Sequence, residues 1–156
     1  MDLSEQKTEV EIRIKTLPHF EGLELPRYMS EGASALDLTA AISGELVLKP
    51  GERVLIPTGI AIAMPHGVEA QIRPRSGLAL KHGITMLNSP GTIDSDYRGE
   101  IQVLAINLGQ EAFTVTRGMR VAQMVVSQVI KAKLTVADNL DSTSRGHGGF
   151  GHTGTH

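Results

Sequence analysis

Asp94, Asp96, Arg98 and Glu100 fall within seven residues of "NSPGTIDSDYRGEIQV", residues 88–103, between two apolar runs. A carboxylate held by a rigid hairpin can orient a water molecule and take its proton, which is general-base chemistry. Asp94 is the candidate, because it follows Ile93 directly after a turn, where a half-buried strand favours an uncharged side chain. A solvated hairpin fits the same residues: Pro90-Gly91 is a turn dipeptide, and Arg98-Gly99 closes a second reversal. The two roles are compatible, and the hairpin alone does not choose between them.

Other residues are suited to anions. Arg75, Ser76 and Gly77 in "IRPRSGLALKHGI" offer a guanidinium, a hydroxyl and an unobstructed backbone amide, a set that can meet phosphate oxygens. The spacing is not that of a Walker loop, and taken alone the tripeptide is better explained as a Ser-Gly turn with a surface arginine. Arg120 and Gln123 interrupt the aliphatic "RGMRVAQMV", so each is either satisfied structurally or aimed at a ligand. Phe150, one of only three phenylalanines, stands among glycines five residues after Arg145. A Gly-rich loop with an arginine can fold over phosphate while an aromatic ring caps a base, although composition by itself favours a disordered tail.

These groups need a scaffold. Val10, Ile12 and Ile14 alternate with charges in "VEIRIK", the period-two pattern of a half-buried strand. "ELVLKPGERVLIPTGIAIAMPHGVEAQI" contains four β-favouring runs divided by Lys49-Pro50-Gly51-Glu52, Pro57-Thr58-Gly59 and Pro65-His66-Gly67. "EIQVLAINL", "AFTVT" and "MRVAQMVVSQVI" add further runs, the last ambiguous by periodicity, and "GLALKHG" suits one or two helical turns. Short strands at this spacing predict an all-β sandwich, jelly roll or barrel with little helix. Residues 1–136 are expected to form the β-rich domain and 137–156 a Gly-rich, flexible tail. Both faces of "IQVLAINL" are apolar, with Ile101 and Val103 on one side and Leu104, Ile106 and Leu108 on the other, which predicts an oligomer.

Bulk properties narrow the classes. The 156 residues suit one domain with tails. Without cysteine, disulfides, Cys-based zinc and a thiol nucleophile are excluded; no "GxSxG" is present, and His147, His152 and His156 match no zinc spacing. Fifteen Lys and Arg against seventeen Asp and Glu, with no basic block or aromatic platform, argue against a nucleic-acid partner. No run is long and apolar enough to span a membrane, and the polar N-terminus lacks the pattern of a signal peptide, so a cytoplasmic protein is expected.

The order of the segments is more specific than any one of them. "ASALDLTA" (33–40), "PRSGLALKHGI" (74–84), "NSPGTIDSDYRGEI" (88–101), "GMRVAQMV" (118–125) and "RGHGGFGHTG" (145–154) together resemble the five motifs of the homotrimeric dUTP diphosphatases. The resemblance runs from about residue 20 to the end. It implies a distorted jelly-roll or β-barrel domain and hydrolysis of dUTP to dUMP and pyrophosphate, with Mg2+ on the triphosphate. That reaction limits uracil incorporation into DNA and supplies dUMP for dTMP synthesis.

By the same resemblance Asp94 activates the attacking water. Asn88 and the hairpin amides read uracil, and Tyr97 packs beneath the deoxyribose. Arg75, Ser76 and Gly77 bind the α and β phosphates with help from Gln123, and Asp37 holds water in the magnesium shell. Arg120, Asp96 and Arg98 are implied to be structural. Arg145, Phe150, Gly151 and Thr153 belong to a lid, with Phe150 stacked on uracil, and the sites are shared between subunits. His152 stands where the family usually has serine, and "ASALDL" lacks the glycine that commonly follows the first alanine. A related dCTP deaminase and a nucleotide-binding regulator without turnover are the alternatives. "GTIDSDYRG" and the Phe-bearing tail favour the diphosphatase.

Overall fold

Punctuated alternation produces short antiparallel strands in the computed structural model, which describes residues 9–155. The strands are β1 (Arg13–Thr16), β2 (Leu36–Thr39), β3 (Glu45–Leu48), β4 (Arg53–Pro57), β5 (Ile60–Ala63) and β6 (Val68–Arg73). After helix α1 (Ser76–His82) come β7 (Ile84–Met86), β8 (Gly91–Ile93), β9 (Gln102–Asn107), β10 (Phe113–Thr116) and β11 (Arg120–Gln128). The four runs expected between residues 45 and 73 are β3 to β6, and the ambiguous "VAQMVVSQVI" is a strand. The reading of the first eight residues and the one drawn from His156 lie outside the described residues.

The strands pair as β2-β11-β6-β8, β4-β9-β7, β1-β5 and β10-β3, a jelly-roll-like arrangement in which no sheet closes into a barrel among the described residues. Their inward faces share one core that includes Leu38, Leu48, Ile56, Ile60, Val103 and Val121. "VEIRIK" departs from expectation. The strand starts only at Arg13 and all four of its residues are exposed. Among the described residues it hydrogen-bonds to β5 on one side only, and Ile14 stays 40% exposed.

Helix α1 ends where its chemistry says it should. Gly83 takes a left-handed backbone, φ 69°, and its N–H closes the helix on Leu78 and Ala79 carbonyls. In β9 the residues facing the core are Val103, Ala105 and Asn107, with Ile101 buried just before the strand. The other face carries Leu104 and Ile106, half-buried, beside exposed Leu55 of β4, which pairs with Leu104. The chain's own loops therefore do not fully cover this face.

Asn107 is fully buried and fully bonded: its amide donates to the Leu48 and Glu111 carbonyls, both at 2.8 Å, and its oxygen accepts the Gly109 N–H at 2.8 Å. Asn107→Leu would leave the buried Leu48 carbonyl and the part-buried Glu111 carbonyl and Gly109 N–H without this partner. A loss of about 3 kcal/mol is expected, seen as a lower urea midpoint at fixed protein concentration.

β11 ends at Gln128, and the Val129 N–H donates to the Gly67 carbonyl. Beyond it Ile130, Leu134, Val136 and Leu140 are almost wholly exposed. No helix among the described residues is long and apolar enough to cross a membrane.

Candidate active site

The expected site residues fall into three groups. The first is built by β2, β11 and the end of β6. A β-bulge between Arg120 and Ala122 shifts the register of β11, so that Val121 and Ala122 both enter the core. Arg120 and Gln123, three residues apart, consequently both serve the outer side, an example of a bulge re-aiming side chains. Gln123 lies opposite Asp37 of β2 and opposite Arg73 of β6.

Asp37 sits at the centre of this group with its carboxylate largely buried. Its Oδ2 is 2.9 Å from Arg120 Nη1, and its Oδ1 is 3.6 Å from Arg75 Nε. Arg75 Nη1 also donates to the Arg120 carbonyl at 3.1 Å, and Gln123 Nε2 donates to the Pro74 carbonyl at 2.9 Å. Arg75 is thereby aimed by one acid and one carbonyl. Ser76 and Gly77, both exposed, begin α1 immediately beside it, and no side chain caps that end. Two guanidiniums around one carboxylate leave a net positive cluster with exposed donors, suited to oxyanions.

The second group is the hairpin after β7. Asn88 lays its amide over Gly91, where a Cβ would lie 3.1 Å from Nδ2. Asp94 follows β8 directly, and its carbonyl accepts the Tyr97 N–H at 3.1 Å. Arg98 Nη1 donates to the Ser95 and Tyr97 carbonyls at 2.6 and 2.9 Å, stapling the turn. Glu100 accepts the Gly59 amide and the His19 ring. Two of the four charges are thus consumed in holding the hairpin. The Asp94 and Asp96 carboxylates, by contrast, are exposed and engage no donor among the described residues. Tyr97 lies over Gly99, where a Cβ would meet the end of the phenol ring and push it aside.

Register separates these two groups. Ile93 pairs with Ala70, so Asp94 lies level with Glu69, while Arg75 is six residues further along the same chain. At ~3.3 Å per residue they stand about 20 Å apart. The third group is more distant still in the chain. Residues 143–154 run through successive tight turns, with the Arg145 Nε donating to the Gly148 carbonyl at 2.7 Å. Phe150 takes a left-handed backbone and its ring is fully exposed, beside exposed Gly151 and Thr153. No hydrogen bond or ion pair joins residues 130–155 to the rest among the described residues. An open depression of about 720 Å³, lined in part by Pro18, His19, Ile42, Leu46 and Arg117, includes none of the expected site residues.

Residues 21–154 match the dUTPase family. The chain is 57% identical over 143 residues to a deoxyuridine 5'-triphosphate nucleotidohydrolase of Thermoanaerobacter sp., covering 92% of this chain and 97% of that protein. It is 59% identical over 140 residues to the protein of the same name from Rhizobium etli, covering 88% and 90%. The chain belongs to the dUTPase family. Solved dUTPases share its fold: that of Staphylococcus bacteriophage 80alpha with dUPNHPP has a TM-score of 0.83 at 22% identity, covering 92% of this chain and 98% of that one. A dUTPase of S. aureus phage phi11, described with a structural Mg(II) ion, has a TM-score of 0.74 at 20% identity, covering 85% and 99%.

In this dUTPase-family chain the fold brings together Asp37, Arg75 and Gln123, residues from three segments far apart in the sequence. Residue-type reasoning overlooked Asn107 and the brace of His19 on Glu100. Asn107 had a signal: it is a polar residue at an inward position of an apolar strand, which demands partners. His19 had none, because its partner lies 81 residues away.

Proposed function

We propose that this chain hydrolyses dUTP to dUMP and pyrophosphate at sites assembled between the subunits of a homotrimer, acting in the cytoplasm on the nucleotide pool. This would limit uracil incorporation into DNA and supply dUMP for dTMP synthesis. The observation that carries the reading is the free carboxylate of Asp94 in a hairpin whose Arg98 and Glu100 are spent on structure.

Asn88 and the hairpin amides pair with the uracil edge, where cytosine would leave buried groups unpaired. Tyr97 forms the floor of the sugar site and leaves no room for a 2'-hydroxyl. Asp94 takes a proton from water as the water oxygen bonds to the α-phosphorus, and the bond from that phosphorus to the bridging oxygen of pyrophosphate breaks. Charge on the phosphoryl oxygens is met by Arg75, the Ser76 hydroxyl, the Gly77 amide and Gln123. Arg145, Gly151 and Thr153 close over the phosphates as Phe150 stacks on the base, excluding bulk water. His152 replaces the usual serine near the γ-phosphate.

Asp37, whose Oδ1 lies 3.6 Å from Arg75 Nε, is the carboxylate that would hold Mg2+ through water, the metal resting mainly on triphosphate oxygens and waters. When bound it supplies charge neutralisation and fixes the triphosphate conformation.

The separation of about 20 Å between Asp94 and Arg75 along one chain supports sharing, since both must meet one triphosphate. Sharing has a quantitative consequence. Asp94→Asn and Arg75→Ala chains, each inactive alone, are co-expressed in equal amounts. If each site takes Asp94 from one subunit and Arg75 from its neighbour, about a quarter of all sites in the random trimers are wild-type. Recovery of about a quarter of wild-type turnover is expected. No recovery in co-purified mixed assemblies would place both residues in one chain's site.

A further inference from the structure

The hairpin carrying Asp94 and Tyr97 re-enters the core at Ile101, which is fully buried. The peptide between Glu100 and Ile101 is gripped on both of its polar edges. Its N–H, from Ile101, donates to the Ile60 carbonyl at 2.8 Å, and its carbonyl, from Glu100, accepts the Tyr97 hydroxyl at 2.9 Å. A trans peptide is planar with its N–H and C=O pointing opposite ways, so fixing one edge aims the other. The Tyr97 hydroxyl is therefore docked on a carbonyl whose direction is set by the buried strand β5.

The Glu100 side chain completes this arrangement. Its Oε1 accepts the Gly59 N–H, just before β5, at 2.8 Å and bonds the His19 ring at 2.6 Å. His19 is itself on an anchored segment, because Arg117 donates to the His19 and Glu21 carbonyls at 2.8 and 2.7 Å. One partly buried carboxylate thus ties the hairpin's exit to two other parts of the chain, Gly59 and the turn at residues 18–20.

We propose that Glu100, braced by His19 and the Gly59 amide, is a positioning residue that holds the Tyr97 ring at the height which separates deoxyribonucleotides from ribonucleotides. The proposal rests on the reading of Tyr97 as the floor of the sugar site. Exclusion of a 2'-hydroxyl is steric, so a small displacement of the ring makes room for it. Glu100 touches no substrate group in this account and acts only through the peptide that Tyr97 grips.

The test compares kcat/KM for dUTP and UTP in Glu100→Ala, Glu100→Gln, His19→Ala and Tyr97→Ala, each checked for wild-type assembly. Glu100→Ala is expected to reduce the dUTP-to-UTP ratio about tenfold or more, chiefly by raising the value for UTP. Glu100→Gln, which keeps an acceptor oxygen, is expected to restore most of the ratio, and His19→Ala to lower it less than Glu100→Ala. Hydrogen exchange of the amides at 95–99 should quicken in Glu100→Ala while that of β9 stays unchanged.

If Glu100→Ala does not fold, His19→Ala decides, since that side chain is at the surface: an unchanged ratio together with unchanged hairpin exchange overturns the proposal. A Tyr97→Ala enzyme that loses discrimination while Glu100→Ala and His19→Ala keep the wild-type ratio overturns the role of Glu100 alone. A Tyr97→Ala enzyme that discriminates normally overturns the sugar-site reading, and the role of Glu100 with it.

Discussion

Asp94→Asn is expected to bind dUTP with nearly unchanged affinity and to turn it over about 10²–10⁴-fold more slowly. Asparagine has the shape of aspartate but cannot take the proton that water must lose as it attacks. The structure gives the substitution little else to disturb: among the described residues the Asp94 carboxylate holds no hydrogen bond or ion pair, and the turn is closed by backbone and by Arg98. Neither the fold nor the uracil pocket should change. Titration calorimetry with dUTP on the slow variant and single-turnover rates at saturation separate binding from chemistry. A variant that turns over normally would remove Asp94 from the role of base, and one that no longer binds would make it a binding residue.

The second large effect is expected from deleting residues 145–156. The tail should contribute almost nothing to the folded domain, because its one link to the residues before it is the Gly146 N–H on nearby Thr143, no hydrogen bond or ion pair joins residues 130–155 to the rest among the described residues, and Phe150 is fully exposed. Thermal melting and the size of the assembly should therefore stay at wild-type values. Turnover, however, should fall about 10²-fold or more, because the groups that exclude water and clamp the phosphates are gone. Arg145→Ala and Phe150→Ala, made separately, should each reproduce part of the loss. Dissociation of the shortened protein into single chains would show instead that the tail holds subunits together.

Much of this architecture can be read from residue order because strands here are local patterns. The turns at Lys49-Pro50-Gly51, Pro57-Thr58-Gly59 and Pro65-His66-Gly67 cut the chain into runs, and each run became a strand. "GLALKHG" became a helix displaced by one residue, since helix ends depend on caps and Gly83 supplies one. "VEIRIK" misled, because alternation describes what a strand offers to bury and not whether a neighbour is there to cover it. Ile14 is 40% exposed in the single chain for that reason.

The candidate site can be read from the sequence as a set of residue types but not as an arrangement. Order along the chain indicated that Asp37, Arg75 and Gln123 belong to one function. The bulge that turns Arg120 and Gln123 to the same side follows from pairing with β2, 83 residues away at the Asp37 contact, and no local pattern encodes it. Nor does local sequence show that Asp94, just after β8, lies level with Glu69 near the start of β6 while Arg75 follows the other end of β6. Glu100 looked like one more charge in a crowded turn. Only the tertiary contact with Gly59 gives it a structural role.

The most direct test is pyrophosphate release by the purified full-length chain with Mg2+, with dUTP, dCTP, dTTP and UTP measured side by side. Strong preference for dUTP is predicted, with UTP rejected at the sugar and dCTP at the base. Ammonia release from dCTP, or tight dUTP binding with no turnover, would contradict the account and place the chain with the deaminases or with nucleotide-binding regulators.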